Sequence, residues 1–135
     1  MRTAEIVTSF LDHEGRILIL RRSEKVRTYR HRWAGVSGSI ETGETPLEAA
    51  VREITEETGL ARGEFDLAKE GGRLTTIDYA LGVRWNIHVF RFSVKTPKIT
   101  IDWEHTEFAW IEPSEISKYD TVPNLGESLK RVLER

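Results

Sequence analysis

Residues Gly38 to Leu60, GSIETGETPLEAAVREITEETGL, constrain this chain more than any other stretch, because they spell one helix with both ends marked and an unusual load of acid. Thr45 as N-cap, Pro46 at the first helical position and Glu48 three residues after the cap form a capping box. Gly59 suits the left-handed position that closes a helix, with Leu60 folding back toward Ile54. Between the ends, Leu47, Ala50, Val51 and Ile54 follow the spacing of a single apolar face, which is expected to pack on a sheet.

Six acids lie in this stretch: Glu41, Glu44, Glu48, Glu53, Glu56 and Glu57. At 100° per residue, Glu53, Glu56 and Glu57 fall within an arc of about 100° beside the apolar face. Glu53 and Glu57, four apart, repel each other. Glu56 and Glu57 also stand in the last turn, where the helix dipole disfavours anions. Arg52 can relieve part of this through Glu56 or Glu48, but one guanidinium does not neutralise three or four carboxylates. A hard divalent cation is the simplest compensation, and magnesium in particular bridges a few carboxylates to substrate phosphates. The competing reading is a solvated acidic face.

The remaining chain reads as scaffold. Thr3 to Leu11 and Arg16 to Arg21 are strands joined by the turn Asp12-His13-Glu14-Gly15, the second a continuous apolar run suited to cover on both faces. Arg21 to Trp33 is basic, with Arg21, Arg22, Lys25, Arg27, Arg30 and Arg32, and reads either as a solvated loop or as a phosphate-contacting arm. Trp33 to Ile40 is expected to be short and extended. Strand propensity returns at Leu74 to Tyr79, while Gly71-Gly72 leaves the register of Phe65 to Ala80 open. Arg84 to Val94 is a strand expected to be central. Ile99 to Ile101 suggests a short edge piece, Asp102 to Glu107 a loop and Phe108 to Ile111 a last strand. Pro113 to Tyr119 and Asn124 to Leu133 close the chain as helices, the second with Leu125, Leu129 and Leu133 on one face. The pattern is a mixed sheet with helices on both faces.

At 135 residues the chain is expected to form one domain, 1–135. A net charge of -2 argues against nonspecific nucleic-acid binding, and the absence of cysteine excludes disulfides and thiolate metal sites. No run approaches a membrane span or a signal peptide, so a soluble cytoplasmic protein is expected.

Gly38, five residues, Glu44, seven residues, then Arg52-Glu53-Ile54-Thr55-Glu56-Glu57-Thr58-Gly59-Leu60 resembles the Nudix box, with every defining position filled. The resemblance implies an α/β/α sandwich with a mixed β-sheet and hydrolysis of a nucleoside diphosphate linked to another moiety, with Mg2+ or Mn2+ as cofactor. By that analogy Glu56, Glu57 and the Gly38 carbonyl would be metal ligands, and Glu53 a ligand or the base that activates water. Arg52 would orient the carboxylates, Glu44 would support the loop, and a late-loop acid, Glu104 with Glu107 second, would join the metal. Ser37 replaces a glycine common in relatives, which suggests a tilted loop. Looser likenesses to archaeal Nudix domains name no ligand.

Substrate contacts are expected outside the box, from Arg27, Tyr29, Arg32 and Trp33 in the basic arm and from Arg84 and Trp85. Trp33 and Trp85 are also natural packing residues. ADP-sugars, dinucleoside polyphosphates and oxidised nucleoside triphosphates all remain open. A binding or regulatory module without turnover is the alternative, which the intact acids oppose. A diphosphate isomerase would call for a cysteine. A homodimer is compatible with the resemblance.

Overall fold

The computed structural model describes residues 1–133. Its strands are β1 (Arg2–His13), β2 (Arg16–Arg22), β3 (Trp33–Ala34), β4 (Val36–Ser39), β5 (Phe65–Asp78), β6 (Val83–Val94) and β7 (His105–Ile111), with helices α1 (Pro46–Thr58) and α2 (Leu125–Leu133). Short 3-10 turns occupy Arg62–Glu64 and Pro113–Lys118. All seven strands form one mixed sheet. β6 lies parallel to β1 and antiparallel to β5, which takes the sheet's edge.

β1 and β2 meet only at their turn, through Asp12–Ile17 and His13–Arg16. Beyond it they part: β1 takes β4 as its neighbour, and β2 takes β3 and β7. This fork puts β4 beside β1, where α1 can reach it.

Side chains alternate across the sheet, so each face has its own core. Val7, Leu18, Leu20, Ile54, Phe90 and Phe92 belong to the face under α1. Phe10, Ile17, Ile87, Val89, Leu129 and Val132 belong to the face under α2. Ile17 to Leu20 are all fully buried, as a strand covered on both sides must be.

Four expectations change. Phe65–Asp78 is one strand whose register slips at Leu67/Lys69 and at Glu70/Arg73; the extra residues had hidden its period. Ile99–Ile101 forms no strand, because the Thr100 N–H is spent on the Thr58 carbonyl at the end of α1 (2.8 Å). β7 begins at His105, three residues early, with a register slip where it passes from Arg21 to Arg22. On α2, Val132 is fully buried and Leu133 only half-buried, so the apolar face is turned by one residue.

Candidate active site

Helix α1 has the predicted ends. Thr45 Oγ1 accepts the Glu48 N–H (3.1 Å) and Glu48 Oε1 accepts the Thr45 N–H (2.9 Å). Gly59 closes it at φ 74° with its N–H on the Thr55 carbonyl. The buried face differs from expectation. Leu47 is 36% exposed and Val51 half-buried, while Ala49, Ala50, Glu53, Ile54, Glu57 and Thr58 are buried. The helix is turned so that two carboxylates point inward at β4.

Gly38 makes that possible. A Cβ there would collide with the Glu53 carboxyl, so the glycine leaves the room that this carboxyl fills between β4 and α1. Ser37 does not tilt the loop: it lies in a regular strand with its Oγ on Thr8 Oγ1 (3.0 Å), and neither Gly35 nor Gly38 adopts a positive φ.

Arg52 binds the exposed side of the cluster. Its Nε and Nη2 hold Glu44 through two bonds (2.6 and 2.9 Å), and Nη2 also reaches the Ser39 carbonyl (3.0 Å). Nη1 donates to Glu53 Oε2 (2.9 Å) and more weakly to Glu56 Oε2 (3.3 Å). Glu48 is out of this set because the cap uses it. Arg52 and the Glu41 N–H hold the Glu44 carboxyl down to about 2. Glu44 Oε1 accepts that N–H at 2.9 Å, which ties the loop to the helix.

The inner side of the cluster is short of partners. Glu57 is 1% exposed; its Oε1 accepts a long bond from the Ser37 N–H (3.4 Å), and its Oε2 has none. Burial, then the adjoining Glu53 carboxyl, pushes Glu57 well above the ordinary carboxylate range. Burial raises Glu53 as well, against the pull of Arg52. Glu104 comes from the loop before β7 and is also raised, by burial first and then by Asp102 and Glu53. Glu107 is committed elsewhere, bonded to Arg21 at 2.9 Å.

These residues fit a hard cation: a buried, unpartnered carboxylate oxygen on Glu57, beside Glu53, which itself lies against Gly38, offers oxygen donors only. Among the described residues no three His, Asp or Glu side chains already surround one point. Arg52 draws Glu53 and Glu56 to itself instead, and Glu56, half exposed, is free to turn.

The cluster lines one end of a cavity of about 380 Å3, with Gly38, Glu53 and Glu104 on its wall. Tyr29, Trp85, Ile87, Val122 and Leu125 line the recess beyond. Trp85 Nε1 donates to the Tyr29 hydroxyl (3.0 Å), which donates to Asp78 Oδ2 (2.7 Å). Of the expected substrate contacts, Tyr29 and Trp85 reach the cavity and four others do not. Arg84 precedes Trp85, which lines it, and so points to the opposite face of β6, and Trp33 is not among the lining residues. The Trp33 ring packs edge-on against Tyr119 (5.1 Å). Arg32 is held by the Thr121 carbonyl and Asp120, and Arg27 is exposed on the outside of its loop.

Two titratable residues of the wall, Arg22 and His105, were not among the expected site residues. Arg22 continues the Leu18–Leu20 alternation onto the α1 face, a signal the sequence does carry; its Nε donates to the Thr28 carbonyl (2.9 Å). Burial lowers its pKa, partly offset by Glu104 and Glu57. His105 stands between Asp102 (Nδ1 to Oδ1, 2.9 Å) and Glu57 (Nε2 to Oε1, 3.6 Å). Burial pulls it below the usual histidine value, and Asp102 opposes. It reaches this face because β7 has one extra residue, Thr106, opposite Arg21 and Arg22. No sequence pattern marks that bulge.

Comparison with known proteins agrees with this geometry. The NUDIX domain matches residues 1–132. The chain is 29% identical over 128 residues, 89% of each chain, to a nucleoside triphosphatase NudI of Escherichia fergusonii, and 28% identical over 126 residues, again 89% of each, to that of Escherichia coli O139:H28. Among solved structures it resembles a MutT protein from Methanosarcina mazei Go1, with a TM-score of 0.83 and 24% identity over 96% of this chain and 92% of that one. A C. elegans Ap4A hydrolase shares the fold at a TM-score of 0.74 and 20% identity, covering 97% and 94%.

Proposed function

The chain belongs to the Nudix hydrolase family, and from that premise we propose that it is a pyrophosphohydrolase dependent on Mg2+ or Mn2+. Its substrate is a nucleoside diphosphate linked to another moiety: a nucleoside triphosphate, an ADP-sugar or a dinucleoside polyphosphate. The observation that carries this reading is the junction of two unlike surfaces in one cavity. Acids with an orphaned buried oxygen stand at one end and an aromatic, apolar recess at the other.

Glu53, Glu56, Glu57 and the Gly38 carbonyl would hold the metal, with Glu104 facing them. When bound, the ion neutralises phosphate charge and makes water a better nucleophile. Glu53 would serve either as a ligand or as the base that takes the proton from the attacking water, with the loop acid Glu104 as the other candidate base. Arg52 holds the Glu53 carboxyl in position through Nη1. Arg22, with one edge spent on Thr28, offers its other N–H groups to non-bridging phosphate oxygens. The Trp85 and Tyr29 rings, whose polar atoms are occupied with each other and Asp78, present apolar surface to a base.

The relatives named as nucleoside triphosphatases make nucleoside triphosphates the first substrates to try. A panel of these, ADP-sugars and dinucleoside polyphosphates, with Mg2+ or Mn2+ at mildly alkaline pH, is expected to release phosphate, pyrophosphate or a nucleoside monophosphate. Binding without turnover across the panel would favour a non-hydrolytic nucleotide-binding module.

A further inference from the structure

The recess beyond the acids has almost no free polar group. Tyr29, Trp85 and Asp78 satisfy one another, and Thr8 Oγ1 pairs with Ser37 Oγ. Ser128 differs. It lies on α2, is 2% exposed and lines the cavity, and its hydroxyl has no hydrogen-bond partner among the described residues. Thr76, on β5 in the same wall, accepts from Asn124 Nδ2 (2.7 Å) and keeps its own proton to give. Ser128 Oγ is not one of the sealed, unpartnered atoms of the interior, so it opens on the cavity, where it is free to bond a ligand.

The fold holds Ser128 there by a specific device. β5 slips register between Glu70 and Arg73, and Gly71 sits in the slip. A Cβ on Gly71 would stand 2.8 Å from Val132 Cγ1 and 3.3 Å from Val89 Cβ, so its absence lets α2 settle against the sheet. Arg131 Nη1 then donates to the Gly71 and Arg73 carbonyls, both at 3.3 Å. Ser128 shares the inward face with Leu125, Leu129 and Val132.

We propose that Ser128, with Thr76 beside it, is the specificity-determining contact of this site, bonding the ring edge of the nucleobase of a bound nucleotide. This rests on the hydrolase reading above. A hydroxyl donates or accepts by rotating, so amino-edged and keto-edged bases both find partners and neither leaves a buried group unpaired. The site therefore accepts several bases, with kcat/KM values within about tenfold of one another, where a carboxylate or amide at residue 128 would impose a choice.

The test measures kcat and KM for ATP, GTP, CTP, UTP and base-free ribose 5-triphosphate, with Mg2+ or Mn2+, on the natural protein, Ser128→Ala and Ser128→Asp. Ser128→Ala is expected to raise KM about tenfold for the accepted nucleotides, leave kcat within about twofold, and leave the base-free compound unaffected. Ser128→Asp is expected to shift preference at least tenfold toward ATP, CTP and GTP, whose exocyclic amino groups a carboxylate can accept from, and away from UTP, which has none. If Ser128→Ala does not fold, Thr76→Val carries the same expectation. A spread among bases far beyond tenfold, an unmoved KM in Ser128→Ala, or an equal loss on ribose 5-triphosphate would overturn the assignment while leaving the hydrolase reading intact. If the natural protein turned over none of these triphosphates, the assignment would fall; only if ADP-sugars and dinucleoside polyphosphates were left intact as well would the hydrolase reading fall with it.

Discussion

Helix α1 enters the sheet with Glu53 and Glu57 on its buried side, whereas α2 offers Leu125, Leu129 and Val132 and a lone hydroxyl. Both approach closely because a glycine faces them, Gly38 under α1 and Gly71 under α2. At Gly38 the space is filled by a carboxyl, at Gly71 by the flank of a valine. The first arrangement costs stability, because it buries a carboxyl short of partners, and the second gains stability by packing. What a helix does in this fold is thus set by what fills the room its glycine leaves.

The sharpest way to break that contrast is to remove charge from α1. Glu53→Gln and Glu56→Gln are each expected to lower kcat about a hundredfold, and at least tenfold, with circular dichroism unchanged. Undiminished turnover in both would remove the chemical half of the comparison. On the other side, Gly71→Ala is expected to cost about 1–3 kcal/mol in urea unfolding, since Val132 and Val89 leave no room for a methyl. A neutral result would mean that α2 is not held tightly.

Glu57→Gln tests that cost directly, in metal-free protein. Burial and Glu53 raise the folded-state pKa of Glu57 above its ordinary 4.5. The unfolded chain gives up that proton near 4.5, so stability is lost as pH rises from there to the folded value and stays lower above it. Glu57→Gln should therefore match the natural protein at about pH 4 and exceed it by about 1–2 kcal/mol at about pH 8. Equal stability at both would show that the buried acid carries no penalty.

Smaller effects refine the picture. Thr45→Ala should cost about 1 kcal/mol through loss of the capping box, with kcat unchanged. Arg27→Ala, on the outside of its loop, should leave KM within about twofold.

The α1 half of the molecule could be read in advance because its signals are local. A cap, a proline, a closing glycine and acids at fixed spacing lie within one stretch of chain, and Gly38 to Leu60 contains them all. The α2 half depends on contacts between distant residues. Trp85 lines the cavity and Arg84 does not, a difference that strand alternation explains only once the cavity's side of the sheet is known. The turning of His105 onto the acidic face needs one extra residue in β7, and the position of Ser128 needs a slip in β5. Neither irregularity leaves a periodic trace, since an inserted residue erases the alternation that would have announced it.

Arg52 already bridges Glu44, Glu53, Glu56 and the Ser39 carbonyl, so this acidic corner brings its own counterion. Stripping the protein with EDTA should silence it without unravelling it, and returning the ion should restore turnover with no refolding step. In a cell short of manganese or magnesium such a chain would wait, intact and idle, until supply recovered.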